Sequence, residues 1–357
     1  MKVHVLYGRE LFVLFFVWGV WRCLVDGKVT NSSAQFFIRM KKLLVTLVAL
    51  VCAVVGYAQQ STMVATLTHG ETITSYYGTF AFQKAVEVAV SGDVITLSSG
   101  GFQAADISNN ITVRGAGINC DYPTIIIGDF STPVQTEEGA LLSFEGIKFT
   151  GKILTGSNYE RKINFNKCEI SYIDTGSGNT PCLESSFSNC ITHAIWCRDK
   201  DKINIINCIC YDAYWEGASL LNCVISDGDG SLELASYTNC IIINRGNDRL
   251  RTDERTVFRN CITIGNGDPF TVASGNCTSG VEMDIFSDQD DISKDLTDTA
   301  KETYLGDDNT PVGIYGGFLP WSTTPSYPQI SKLDISNRTT SDGQLNVEVE
   351  VNSVQQQ

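Results

Sequence analysis

The chain has 357 residues, with 26 basic and 40 acidic side chains and a formal net charge of −14. Such an acidic balance argues against nucleic acid and against anionic membrane surfaces as partners. Hydrophobic residues make up 43% of the chain, ample for a sizeable core, while three histidines give histidine chemistry little material.

The amino-terminal stretch reads as processing rather than structure. Residues 1–39 contain an apolar run at 11–21, short of the roughly twenty residues a spanning helix needs, and are expected to be an over-extended start outside the mature protein. Met40-Lys41-Lys42, the apolar run 43–55 and the small–x–small box Gly56-Tyr57-Ala58 form a secretory signal over residues 40–58. Export to the periplasm, the cell surface or the medium is therefore expected, with no transmembrane anchor in the mature chain. From residue 59 onward, 19 basic and 38 acidic side chains remain, a net charge near −19, together with 11 of the 13 cysteines.

A short helix is predicted at about 80–90. Phe82, Ala85, Val86 and Ala89 share one face, with Gln83, Lys84 and Glu87 on the other. Ser91-Gly92-Asp93 ends it, and Val94-Ile95-Thr96-Leu97 begins β-structure. Thr124-Ile125-Ile126-Ile127 is a further strand, and residues 151–160 and 171–181 read as projecting loops.

From about residue 144 to 263 one phrase keeps returning: apolar–x–Asn–Cys. It occurs as Phe187-Ser188-Asn189-Cys190, Ile205-Ile206-Asn207-Cys208, Leu220-Leu221-Asn222-Cys223, Tyr237-Thr238-Asn239-Cys240 and Phe258-Arg259-Asn260-Cys261. Phe165-Asn166-Lys167-Cys168 is a looser copy; Phe144-Glu145-Gly146-Ile147 and Val113-Arg114-Gly115-Ala116 carry Gly in the Asn slot. The Cys slot recurs at steps of 31, 21, 22, 18, 15, 17 and 21 residues. A period near twenty with strand-like content marks a stacked solenoid.

In such a coil the Asn or Gly belongs at a corner that demands φ > 0, and stacked asparagines can hydrogen-bond from turn to turn. Each Cys is then a small buried filler. The residue two beyond it (Phe149, Ile170, Thr192, Cys210, Ile225, Ile242, Thr263) shares its inward face. Zinc sites favour tight paired spacings that this pattern lacks, so no metal is expected; interior thiols are favoured, with some disulfides left open. The residue after the Cys should point outward, yet Ile191, Ile209, Val224, Ile241 and Ile262 are apolar, against Glu169. A bare stripe of that kind would be an unusually large apolar patch. Either the carboxy-terminal region or a partner covers it, or the strand bends there and leaves it half-buried.

Ala81-Phe82-Gln83-Lys84-Ala85-Val86 with Ala89-Val90-Ser91-Gly92-Asp93-Val94-Ile95-Thr96-Leu97 resembles the cap and first strand of right-handed parallel β-helix proteins, the pectate-lyase-like superfamily. Ile111-Thr112-Val113-Arg114-Gly115-Ala116-Gly117 is similar to the strand that follows there. Gly313-Ile314-Tyr315-Gly316-Gly317, after Gly306-Asp307-Asp308, is similar to the way many secreted bacterial β-helix proteins close. The expected fold is thus all-β: a right-handed parallel β-helix solenoid over residues 59–320, with an N-terminal capping helix. Residues 321–357 are expected to be a proline-marked linker and a C-terminal β-hairpin tail around Ser341-Asp342-Gly343.

The enzymes of that superfamily are mostly polysaccharide lyases and glycoside hydrolases. Their paired aspartates, Gly-His-Gly and Arg-x-Lys signatures are missing here, so no catalytic residue is assigned. The best candidate patch follows the Cys190 and Cys208 strands, where Trp196 lies six residues beyond its Cys and Trp215 seven beyond its own, placing the two in a stack on neighbouring turns. Around them lie His193, Arg198, Asp199, Tyr211, Asp212, Tyr214 and Glu216, with Asp227 and Asp229 a turn further on. Aromatic faces beside carboxylates suit sugar rings; the plain alternative is corner packing with solvated neighbours. Asp227-Gly228-Asp229-Gly230-Ser231 resembles a calcium-loop opening, but Leu232 stands where such a loop needs Gly, so a turn is expected and Ca²⁺ is at most a weak ligand. The expected role is a non-catalytic envelope protein that binds polysaccharide or surface glycan, or serves in adhesion or as a scaffold; the alternative is a lyase or hydrolase acting on the side of the coil.

Overall fold

The computed structural model describes residues 63–352 except 121, 134–140, 156–160, 175–182, 198–201, 212, 216, 228–234, 245–253, 266–267, 271, 289–293 and 340–344. The proposed signal and the residues before it lie outside the described residues. Residues 60–357 form one compact unit, and the fold is a parallel β-solenoid with few helices.

Two sheets run the length of the coil. In the first, 12 strands lie side by side from Thr72–Tyr77 at one end to Ala273–Ser274 at the other; the second has 13. The second is parallel throughout and the first from Val94–Leu97 onward, because each turn of chain lays its strand on the equivalent strand of the turn before. The register is in phase with the repeat. Val113, Phe144, Phe165, Phe187, Ile205, Leu220, Tyr237 and Phe258 pair in succession across the first sheet. All are buried, and their rings stack face to face where they adjoin: Phe144 on Phe165 at 5.4 Å, Phe165 on Phe187 at 5.0 Å and Tyr237 on Phe258 at 5.1 Å. The inward column predicted two places beyond the Cys slot is likewise buried, from Phe149 through Thr263.

The corner obeys the conformational prediction. Asn189, Asn207, Asn222, Asn239 and Asn260 all have φ between 48° and 53°, Lys167 has 53° and Gly146 has 66°. The earliest copy departs: the positive φ falls on Gly117 and not on Gly115. Beside this corner, Cys168, Cys190, Cys208, Cys223, Cys240 and Cys261 form a buried column of free thiols. Each donates to the carbonyl two residues back, for example Cys208 Sγ to Ile206 O at 3.2 Å and Cys240 Sγ to Thr238 O at 3.1 Å.

Helix α1 (Ala81–Val88) buries Ala81, Phe82 and Ala85 over the first turn. Ahead of it, where the sequence suggested no element, Val64–His69 and Thr72–Tyr77 form an antiparallel hairpin that extends the first sheet. Two predicted loops are shorter than expected. Strands Lys148–Leu154 and Glu169–Asp174 continue into them because Ile153, Ile173 and Ile195 pair in register and are fully buried.

The apolar stripe is covered by the chain's own carboxy-terminal part. Ile209, Val224, Ile241 and Ile262 form a second core with Ile285, Phe286, Leu296, Val312 and Ile314, and Ala300 of helix α2 (Asp298–Thr303). Each fully buried side chain of this size contributes about 1.5–3 kcal/mol. The chain then runs back along the corner column toward the first turns. Gly313 N donates to Asn239 O at 2.8 Å, Asn207 Nδ2 donates to Ile314 O and Gly316 O, both at 2.8 Å, and Ser322 N donates to Asn189 Oδ1 at 2.9 Å. Lys167 Nζ donates to Thr324 O at 2.5 Å, Ser326 N and Oγ both donate to Glu145 Oε1, and Arg114 lies 5.5 Å over the Tyr327 ring. Burial pushes the Lys167 ammonium pKa down, offset in part by the Glu145 charge.

Two expectations are corrected here. Residues 306–327 are a strap bound to the coil, so 321–327 are not the expected linker. The asparagines use their amides to hold that strap and its neighbouring loops, not one another: Asn239 exchanges two bonds with Asp307, and Asn260 Oδ1 accepts from Asn276 N. After the strap, Gln329–Thr339 and Leu345–Asn352 pair antiparallel as a separate two-stranded sheet, the predicted hairpin.

Asn207 anchors two strap carbonyls, so Asn207→Gly, which keeps the left-handed backbone, is expected to destabilise by about 2–4 kcal/mol in urea unfolding. Asn207→Ala adds about 1–2 kcal/mol of left-handed strain. Asn207→Asp, which offers the two carbonyls a charge and no donor, should be the worst of the three.

The thiol column carries a second prediction. Burial pushes the Cys208, Cys223, Cys240 and Cys261 thiols well above their ordinary range, which removes the reactive thiolate. Among the described cysteines, a thiol reagent at neutral pH should label exposed Cys120 and half-buried Cys277. Peptide mapping by mass spectrometry should find Cys208, Cys223, Cys240 and Cys261 labelled only after denaturant is added.

Candidate functional site

The covering layer does not reach the whole outer face of the second sheet. In the column that becomes Ile191, Ile209 and Val224, the two preceding turns carry Lys148 and Glu169. Parallel stacking sets these charges side by side, Lys148 Nζ 2.7 Å from Glu169 Oε1. His193 Nε2 lies 3.4 Å from the same oxygen. The His193 ring stacks on Tyr211 of the next turn, centroids 5.3 Å apart and 13° from parallel.

A second aromatic group lies further along the same strands. Lys152 and Tyr172 are paired in register, and Lys152 Nζ sits 4.8 Å over the Tyr172 ring. Tyr172 lies 6.3 Å from Trp196, whose side chain is 55% exposed. The face therefore presents two aromatic clusters, each with a lysine at its edge.

Glu169 sets the electrostatics. Burial pushes its carboxyl pKa up, but hydrogen bonds from His193 and Lys148, with their charges, outweigh burial and hold it below the usual carboxylate range. An acid that stays ionised is a poor proton donor for glycosidic cleavage, which needs a carboxyl with a raised pKa. What the face offers is flat apolar rings beside fixed charges, an arrangement that packs on the faces of sugar rings and bonds their hydroxyls.

Of the residues singled out in the sequence, the structure brings His193, Trp196 and Tyr211 to this face. Trp196 pairs in register with Tyr214, and Trp215 with Cys197. The expected equivalence of the two tryptophans is thus off by one residue in register. Asp227 ends strand Val224–Asp227. Arg198, Asp199, Asp212, Glu216 and Asp229 lie outside the described residues. Sequence reasoning passed over Lys148, Lys152 and Tyr172. A signal for Lys148 was present, because it fills the slot after the repeat marker, where Glu169 stood out as the charged exception.

Among the described residues no group of three or more His, Cys, Asp or Glu side chains is placed to hold a metal ion, and no helix is long and apolar enough to cross a membrane. Comparison with protein-family models, with curated proteins and with solved structures finds no match to the chain.

The lowered Glu169 pKa makes a pH prediction whose sign is fixed. Its stabilising contribution is complete above the unfolded carboxyl value of about 4.3 and is lost as pH falls through the lower folded value. The wild type should exceed Glu169→Gln in urea midpoint at pH 7, and the gap should close on acidification below about pH 4.

Proposed function

We propose that this chain is an exported β-solenoid of the cell envelope that binds polysaccharide or surface glycan without cleaving it, in adhesion or as a scaffold. The observation that carries the reading is the outward aromatic face built from His193, Tyr211, Tyr172 and Trp196 over an ionic rung of Lys148 and Glu169. The leader-like residues 40–58 and the acidic composition support export as a soluble protein. The missing superfamily signatures speak for binding over turnover.

The test exposes the full chain, with and without Ca²⁺, to a panel of neutral and acidic polysaccharides, reading both binding and new reducing or unsaturated ends. Binding without product is expected. Trp196→Ala and Tyr211→Ala should each weaken binding about tenfold, the size of one lost aromatic contact of about 1.4 kcal/mol, with the fold unchanged by circular dichroism. Product from any polymer would replace this reading with that of a polysaccharide lyase or hydrolase. Binding that survives both substitutions would move the site elsewhere.

A further inference from the structure

We propose that two copies of this chain associate through the edge of the first sheet that no described strand pairs, strand Thr72–Tyr77 of one copy pairing antiparallel with the same strand of the other, Ser75 on the two-fold axis. This strand is terminal in the 12-strand order, with Val64–His69 on its one occupied side. The hydrogen-bond phase follows from Gly78 N donating to Met63 O at 2.9 Å in line with the register Val64↔Tyr77. Alternation along an antiparallel pair then turns the backbone groups of Thr72, Thr74 and Tyr76 toward Val64–His69 and those of Ile73, Ser75 and Tyr77 toward the open side.

The strand's own sequence lacks the usual protection against pairing. Sheet edges are commonly blunted by charge, proline, shortness or a covering element. Thr72-Ile73-Thr74-Ser75-Tyr76-Tyr77 contains no charged residue and no proline, and it is six residues long. Two of the other sheet ends are managed differently. Ala273–Ser274 is two residues long. Gly100–Gln103 is met by the cap, Gln103 N donating to Thr79 O at 3.0 Å.

What selects a second copy as the occupant is self-complementarity. With Ser75 opposite Ser75, Ile73 of each copy faces Tyr77 of the other, twice across the axis, in the β-branched–aromatic pairing that stabilises sheets. Ile73 and Tyr77 are 68% and 64% exposed in the single chain, unusual for residues of their kind. On the other side of the strand the same register sets Thr74 against Tyr76. The nearest acidic residue, Glu71, falls opposite Thr79 of the second copy, so no like charges meet although each chain is strongly acidic. Pairing would join the two first sheets into one continuous sheet, coil end to coil end.

An edge contact of this size belongs with the smaller, weaker interfaces, so the experiment is sedimentation of the full chain across concentration, from about 5 μM to about 500 μM, bracketing the micromolar range of such contacts. The mass should double over that range. Ser75→Lys and Ser75→Glu set like charges against each other on the axis, and each alone should stay monomeric at every concentration; an equimolar mixture should regain the dimer. Ser75 is exposed, and matching circular dichroism spectra would confirm that the variants fold. Hydrogen exchange on the wild type should show concentration-dependent protection at Ile73, Ser75 and Tyr77, independent of any variant. A wild type that stays monomeric, whether or not another part of the chain shields the edge, overturns the proposal. So does a dimer that persists in both charged variants.

Discussion

The structure depends on one backbone requirement, repeated once per turn: a corner residue in the left-handed region. An L-residue with a Cβ costs about 1–2 kcal/mol there, and Asn is among the few that accept it, because its short polar side chain bonds locally. Choosing Asn over Gly has a consequence beyond the bend. It sets a carboxamide at the same place on five successive turns, from Asn189 to Asn260, and a row of donors and acceptors along the coil is a rail to which another length of backbone can be fastened. The strap uses it, with Asn239, Asn207 and Asn189 each bonded to it. Close approach shapes the strap in turn: a Cβ on Gly306 would come within 2.6 Å of the Asn239 amide carbon, and one on Gly317 would collide with the Asn222 amide. The asparagines of the coil and the glycines near its end belong to one device.

The second sheet is covered on both faces over part of its length. Cys210, Ile225 and Ile242 face the interior while Ile209, Val224 and Ile241 face the second core. A strand buried on both faces reads as a continuous apolar run, which is why Cys-Ile-Cys and Cys-Ile-Ile replace alternation in these turns. Two turns earlier the outward position changes to Glu169 and Lys148, and there the sheet meets water. The candidate site lies at that border. Its aromatic rings stand on a rigid sheet just where the apolar covering gives way, which holds them flat and spaced by the turn height without needing loops to position them.

Much of this was legible because it is periodic. The corner φ, the inward column, the thiol filler and the need for a cover over Ile209 to Ile262 all follow from writing the turns in register. What was not legible depends on long-range contact. Nothing local in Ser322, Thr324 or Ser326 says that they will lie against Asn189, Lys167 and Glu145. A ladder of asparagines bonding to one another is the natural inference when the strap is unknown, and the wrong one when it is present. The tryptophan pairing failed for a simpler reason. Trp196 and Trp215 stand six and seven places beyond their cysteines, so stacking the turns in register sets Trp196 beside Tyr214 instead. The hairpin at 64–77 was missed because its Thr- and Tyr-rich alternation has no copy elsewhere in the repeat to align with.

The strap also changes how stability is shared. In a plain solenoid each turn contacts its neighbours alone, stability is close to a sum of nearest-neighbour terms, and the ends fray first. Here one continuous segment is bonded to the corner at Asn239, Asn207, Asn189 and Lys167 and continues to Glu145 and Arg114. It runs opposite to the direction of coil growth, so a later part of the chain is tied to turns made long before it. Opening a turn in the middle of the coil means giving up a strap bond as well as two neighbour interfaces. Releasing the strap also takes Val312 and Ile314 out of the core over the Ile stripe. The carboxy-terminal segment thus couples turns that never touch, and a repeat architecture that could melt piecemeal acquires a single long-range lock.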